Sequence, residues 1–272
     1  MNHTANIKSI VRLLGQVSGR HDRYTVFSDC MELMALSVSN AVDKAQFLGR
    51  EARYLQLVSK YNRADLDRFC GVLAEVTMAM EAQPDDILGA VFGAMELHNA
   101  SRGQFFTPMH VCQLMSRLQM ADGPMQRIID KCGYITVLEP ACGAGAMVIA
   151  AALTMQELGY SYQRQLHVTA TDIDARAAHM AYVQLSLLHI PAVVVVGNSL
   201  TCEVQEKWHT PAHILGGWHH RLAKDQDEQE QSSGSNRPES RPHPEQEQEP
   251  VNIPLPWQTT ILPSGKAQLP LF

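Results

Sequence analysis

The sequence predicts an α/β fold: a Rossmann-like domain behind a helical N-terminal segment, with a disordered C-terminal tail. Three observations carry this. An apolar, partly β-branched run from Ile135 to Leu138 passes through Gly143-Ala144-Gly145 into a small-residue helical stretch, Ala146 to Leu158. The strand–helix pattern then repeats. Leu166 to Thr171 ends on Asp172-Ile173-Asp174, Ala175 to Leu188 reads as helix, and Ala192 to Val196 reads as a third strand closing on Gly197-Asn198-Ser199-Leu200. After about Ala223 the composition collapses to Gln, Glu, Ser and Pro, with almost nothing to bury. The boundaries that follow are a helical segment over 1–100, an α/β domain over 101–222 and a tail over 223–272.

The helical segment follows from periodicity. Phe27, Cys30, Met31, Met34, Ala35 and Val38 recur at three- and four-residue spacing after Asp22. Val42 to Tyr61 and Ala64 to Met80 continue in that style, with Asn62 and Asp65 as cap residues. Pro84-Asp85-Asp86 opens a helix from Ile87 to Leu97. The methionines read as core filler. Gly103 to Pro108 is a loop into a helix from Met109 to Leu118, with Thr107 as its cap and Pro108 at its first position.

In the α/β domain the glycines permit close approach of backbone to a ligand and close packing of helix on sheet. An acid at the tip of the second strand, here Asp172, is the residue that takes the ribose hydroxyls of an adenosine-type cofactor in doubly wound folds. Three ligand-facing loops in series favour a binding domain over a fold whose glycines serve only turns. Cys142 reads as a small residue filling a tight turn.

Four motifs carry a family resemblance: Gly103-Gln104-Phe105-Phe106-Thr107-Pro108, Leu138-Glu139-Pro140-Ala141-Cys142-Gly143-Ala144-Gly145, Thr171-Asp172-Ile173-Asp174, and Gly197-Asn198-Ser199-Leu200. Over about residues 85–220 the chain resembles adenine-specific N6 DNA methyltransferases, in particular the modification subunits of type I restriction systems. The resemblance implies a methyltransferase domain that binds S-adenosylmethionine. Thr107 and Pro108 would lie near its methionine end, and Glu139, Ala141 and Gly143 would line the same moiety. Asp172 would hold the ribose, Ile173 would pack on the adenine, and Asn198 would meet the adenine edge. The family more often has Asp at that last position, so an amide there alters the donor and acceptor roles.

One part of the family pattern is absent. The resemblance implies Asp/Asn-Pro-Pro-Tyr/Phe at the end of the fourth strand, holding the amine of a flipped adenine in line with the methyl group. No such tetrapeptide occurs in the chain. By position the fourth strand falls near Ala212 to Leu215. Gly216-Gly217-Trp218-His219-His220 then stands where the tetrapeptide belongs, with His220 able to stack on a base but nothing to orient an amine. No catalytic residue is assigned. Three functions stay open: an active DNA adenine methyltransferase with a divergent pocket, on its own or completed by a partner subunit, an inert cofactor-binding relative acting as a regulator or decoy, and an adaptor acting through its tail.

Charge and composition set further bounds. The net charge is −6, unusual for a DNA-gripping protein, but eight acids against three bases between Ala223 and Pro250 carry five of those charges. Arg50, Arg53, Lys60, Arg63 and Arg68 form either a basic face or, as favoured here, the solvated side of a helix pair. Six scattered cysteines without a C-x-x-C pair point to free thiols in a cytoplasmic setting. No long apolar run suggests a membrane span, and the N-terminus lacks a signal-peptide core. His209, His213, His219 and His220 fit no common metal spacing, and Trp208 and Trp218 among them suggest packing or base contact.

The tail carries a small apolar island, Ile253, Leu255 and Trp257. It ends in Gln268-Leu269-Pro270-Leu271-Phe272, which is similar to the Gln-Leu-x-Leu-Phe peptide by which bacterial polymerases and repair proteins dock on the sliding clamp. Gln268 would fix register, and Leu269, Leu271 and Phe272 would be the anchors.

Overall fold

In the computed structural model the described residues are 3–17, 21–97, 107–120, 123–224 and 269–270. Gly103 to Phe106, the acidic tail, the Ile253–Trp257 island and Gln268, Leu271 and Phe272 lie outside them.

Five helices come first: α1 (Thr4–Gly15), α2 (Arg23–Val42), α3 (Phe47–Val58), α4 (Arg63–Ala82) and α5 (Ile87–Ala94). Side-chain caps fix three of their starts. Asp22 accepts from the amides of Tyr24 and Thr25 at 2.9 and 3.0 Å. Asn62 accepts from Asp65 at 3.0 Å, and Asp86 from Gly89 at 2.9 Å. Each bond satisfies an N–H that the helix itself cannot. The periodic face of α2 is buried as expected, with Phe27, Cys30, Met31 and Met34 at the centre of the helical core.

The stretch from Val42 to Tyr61 is not one helix. It breaks at Asp43, where the backbone leaves helical geometry. Asp43 turns inward onto Arg50 at 3.2 Å, and the Arg50 guanidinium lies 4.0 Å over the ring of Trp208. The five basic residues of this region form no free basic face. Arg50 is buried on Asp43. Arg53 bridges Glu32 and Glu206, Lys60 meets Asp29, Arg63 meets Asp67, and Arg68 meets Asp65. Nor are they simply solvated: two of them, Arg50 and Arg53, fasten α3 to the α/β domain through Lys207 O and Glu206.

α6 (Met109–Met120) and α7 (Pro124–Cys132) lead into the sheet. No helix is expected from the sequence between Leu118 and Ile135, yet α7 forms there. Its signals are Pro124 at the first turn and Gly133, left-handed at φ 78°, at the end. The sheet has the order β4-β3-β2-β1-β5. β1 (Ile135–Glu139), β2 (Leu166–Asp172) and β3 (Ala192–Asn198) are parallel, with Val137 opposite Val168 and Ala170 opposite Val194. α8 (Ala146–Glu157) and α10 (Ala175–Leu187) make the crossovers, and a short α9 (Tyr162–Gln165) precedes β2. α8 is buried along nearly its whole length, which explains its alanines: larger side chains would hold it off its neighbours. α6 packs along α8, and α10 packs on α2.

The fourth strand differs from expectation. β4 is Glu203–His209, antiparallel to β3, and Ala212 to Leu215 belong to a helix, α11 (Pro211–Leu215). Thr210 sets this up. Its side chain accepts from the His213 amide as a helix cap, its hydroxyl donates to Ile190 O at 2.8 Å, and Pro211 follows as the first helical residue. A further helical stretch covers 218–224. At the outer edge of β1 sits a two-residue strand, β5 (Leu269–Pro270), parallel to Val137 and Leu138. Among the described residues no helix is long and apolar enough to cross a membrane.

Candidate functional site

Parallel strands bring their C-terminal ends to one side, and three loops meet there. Glu139 ends β1, Asp172 ends β2 and Asn198 ends β3. The loops are bonded to each other. Cys142 N donates to Thr171 O at 2.8 Å, and Gly143 N donates to Asp172 Oδ2 at 2.8 Å. Ser199 Oγ donates to Pro140 O at 2.8 Å. Gly143 and Gly145 both take left-handed backbone, φ 54° and 98°. A Cβ on Gly145 would make only ordinary contact with Ala181 of α10, at 3.5 Å, so it is the left-handed backbone of the turn that calls for glycine there.

Glu139 is fully buried. Its Oε1 accepts from Ala141 N at 3.1 Å, while its buried Oε2 has no hydrogen-bond partner among the described residues. Burial pushes this carboxyl up to about 7, against a smaller opposing pull from the Ala141 amide. Burial also raises Asp172, although the amides of Asp174 and Gly143 pull the other way. Asp172 thus closes the turn, with Oδ2 on Gly143 and Oδ1 on Asp174 N at 2.9 Å, and its oxygens retain lone pairs for a ligand. Asp174 caps α10 and pairs with Arg176, which lies 3.7 Å over the ring of Tyr24. Arg176 holds Asp174 through Nε and Nη2, while its buried Nη1 has no partner among the described residues. A buried carboxyl with a free oxygen asks for a donor, preferably a cationic one.

Around these acids the lining is apolar and open. Ile173 and Leu200 are 68% and 94% exposed, and Leu138 is 37% exposed, so hydrophobic side chains stand uncovered at the mouth. Ala141 is exposed beside them. Asn198 is partly buried, and its Oδ1 accepts from Leu200 N at 3.0 Å and Thr201 N at 3.4 Å. Two backbone donors fix the oxygen of that amide inward, which leaves its NH2 as the outward group. Thr107 and Pro108 are exposed at the start of α6, where Pro108 O accepts from the amides of Val111 and Cys112. Cys142 is buried and its thiol is pushed well up by burial, which keeps it neutral and unreactive. The apolar cavity of about 310 Å³ beside Leu33, Tyr54 and Leu66 lies in the helical layer, away from these loops.

The segment expected to replace the base-holding tetrapeptide is elsewhere. His209 at the end of β4 pairs with Val193, near the start of β3, so α11 and Gly216 to His220 follow at the opposite end of the sheet. There Trp218 is 1% exposed and packs edge-on against Tyr134 at 5.0 Å and beside His167 at 5.2 Å. Trp208 is likewise buried, against Tyr182 and His179. Both tryptophans are core. His220 is exposed, with its ring against His219. The histidines here form a buried packing cluster: His167 and His213 share a 2.9 Å hydrogen bond, and His209 stacks on His213. Burial drives His167 down to about 3 and His213 to about 4. No group of His, Cys, Asp and Glu among the described residues is arranged to hold a metal ion.

Sequence reasoning missed Gln184. It is fully buried in α10 and bonded to the glycine loop and to α5. A polar residue inside the apolar run from Tyr182 to Leu188 was the available signal.

Comparison with known proteins bears on this geometry. The N-6 DNA Methylase family matches residues 85–235. No curated protein gives a match. Among solved structures, a Listeria monocytogenes protein assigned to the class I S-adenosylmethionine-dependent methyltransferases superposes with a TM-score of 0.41 at 13% identity, covering 72% of this chain and 55% of that one. The methyltransferase subunit of a type I restriction-modification system from Streptococcus thermophilus gives 0.35 at 11% identity, covering 71% and 58%. The chain thus spans little more than half the length of either structure. With over half of its residues matched, and the glycine loop, Asp172 and Asn198 inside the match, this chain belongs to the N-6 DNA methylase family.

Proposed function

We propose that this protein binds S-adenosylmethionine at the C-terminal ends of β1, β2 and β3, and that it supplies the cofactor half of a DNA adenine methylation site. The observation that carries the reading is Glu139 Oε2, a buried carboxylate oxygen at the end of β1 with no partner among the described residues. The methionine ammonium of the cofactor is a donor of the right charge for it. Asp172, with lone pairs left after bonding Gly143 and Asp174, takes the ribose hydroxyls. Ile173 and Leu200 offer exposed apolar surface for the adenine ring, and Asn198 meets its edge. Thr107 and Pro108 border the methionine end. When bound, the cofactor supplies a methyl group activated by its sulfonium charge.

The target half is not supplied by residues 211–224, the segment expected to hold the base. β4 begins beside Asn198 at Glu203 but ends at the far end of the sheet, where those helices follow, and Trp208 and Trp218 are core. We read the protein as methylating DNA with a grip supplied by a partner chain or by residues outside the described ones, or as an inert cofactor-binding relative. Two assays separate these. Calorimetry with S-adenosylmethionine should show binding to the intact protein and at least a tenfold loss in Asp172→Ala; an intact protein that gives no heat rejects the reading. Tritiated methyl transfer to mixed DNA should show no incorporation by the protein alone, and clear incorporation would mean that the base grip lies in residues not assigned here.

The terminal Gln268-Leu269-Pro270-Leu271-Phe272 supports a second, compatible role, docking on a sliding clamp. Pairing of Leu269 and Pro270 with β1 would have to be released first. Retention on immobilised clamp, lost on deletion of residues 268–272, is the expected result; an intact protein that flows through removes this role.

A further inference from the structure

The glycine loop and the N-terminal helices are joined through one side chain. Gln184 on α10 has no solvent exposure. Its Nε2 donates to Ala144 O at 2.8 Å and to Asp86 Oδ1 at 2.8 Å, and its Oε1 accepts from Leu88 N at 2.9 Å. Both amide hydrogens are used, and each goes to a different part of the chain. Ala144 stands between Gly143 and Gly145, the two residues of the loop with left-handed backbone. Asp86 is the cap of α5 and bonds Gly89 N as well. Its carboxylate folds so closely over Gly89 that a Cβ there would lie 2.1 Å from Oδ2. The cap, the glutamine and the loop carbonyl thus form one continuous line of buried hydrogen bonds.

We infer that Gln184 is a positioning residue for the cofactor loop, fixing the Ala144 carbonyl to the capped start of α5 and so making the helical N-terminal segment part of the binding site. Three features favour this over a generic core contact. A buried amide costs stability unless satisfied, and here every bond runs to a loop or a helix start and none to the body of a helix. Removing its donors leaves Ala144 O short of a partner inside the protein and Asp86 Oδ1 with the Gly89 amide alone. The loop so tethered is the one that presents Glu139 and Gly143. The inference rests on the cofactor reading above for its functional meaning, while the tether itself can be measured without any ligand.

The test compares Gln184→Met, which keeps length and volume but cannot donate, with Val76→Ala, which opens a hole in the core of α4 far from the loop. Both should lower the melting temperature. Hydrogen exchange by mass spectrometry then separates tether from filler. In Gln184→Met, amides in a peptide spanning residues 139–146 should exchange at least about tenfold faster, with the first two turns of α10 unchanged. In Val76→Ala the loop should keep its protection. Calorimetry should show S-adenosylmethionine binding about tenfold weaker in Gln184→Met and unchanged in Val76→Ala. Loop exchange unaltered by Gln184→Met, or raised uniformly across the domain as in a general loss of stability, overturns the inference. If the intact protein binds no cofactor but Gln184→Met still loosens the loop selectively, the tether stands and the cofactor reading falls.

Discussion

Asn198 shows how one atom can change what a site recognises. Its oxygen is held by the amides of Leu200 and Thr201, so a ligand meets its NH2. An aspartate could serve the turn with one oxygen and accept from the exocyclic amine of adenine with the other. Asn198→Asp should therefore bind S-adenosylmethionine more tightly, by up to about tenfold in calorimetry; weaker binding would mean that the amide donates to a ring nitrogen instead. Glu139 is the complementary case. Protonated, it cannot pair with an ammonium, so affinity should rise from pH 6 to pH 8 as a carboxyl with a pKa of about 7 ionises. Glu139→Gln should bind more weakly and flatten that profile. Of these site residues, the glycines, Asp172 and Asn198 could be picked out from the sequence because turn chemistry and strand ends announce them. The free oxygen of Glu139 could not, since it depends on which donors the fold brings near.

At the scale of elements, β4 and its loop mark where sequence patterning ran out. Three apolar strands were legible because β2 and β3 are buried on nearly both faces and β1 along one. β4 is mostly exposed and reads Glu-Val-Gln-Glu-Lys-Trp-His, so it lacks the apolar run that betrays a core strand. Ala212 to Leu215 has that run but follows Thr210-Pro211, a cap and a first-turn proline, and local chemistry wins. The pairing of β3 with β4 requires a shift in register between Val196 and Gly197. A Cβ at Gly197 would sit 2.2 Å from Glu203 O, a backbone atom that cannot step aside cheaply. Gly197→Ala should cost about 2–4 kcal/mol in urea unfolding and loosen the loop that carries Asn198. A cost below about 0.5 kcal/mol would show that the ladder can slide.

For the molecule as a whole, two buried groups set opposite pH limits. His167 is held down to about 3 and His213 to about 4, near His209, His219, Arg221 and Asp43. Their folded values lie below the unfolded value of about 6.5, so their contribution is complete above that pH and is lost as pH falls through 4. Between pH 6.5 and 5 the loss is roughly 2 kcal/mol for each buried histidine. Glu139 works the other way. Its folded value exceeds its unfolded one, so stability is lost as pH rises from about 4.5 through 7. Melting temperature in the absence of ligand should therefore rise from about pH 5 and level off near pH 7, and Glu139→Gln should steepen that rise; a flat profile of the intact protein would contradict both assignments. The α/β class and the order of strands to Asn198 were readable from the chain because buried strands write apolar runs, whereas α7 and the break at Asp43 were not. The link from α5 through Gln184 to the loop was not, because it joins residues nearly a hundred positions apart.

The central claim is that Glu139 awaits an ammonium. Calorimetric titration of the intact chain with S-adenosylmethionine at pH 7, repeated in two buffers of different ionisation heat, tests it directly. One saturable site and a net release of protons are expected, as a carboxyl that burial holds partly protonated becomes fully charged. Absence of binding, or binding with no proton released, would contradict it.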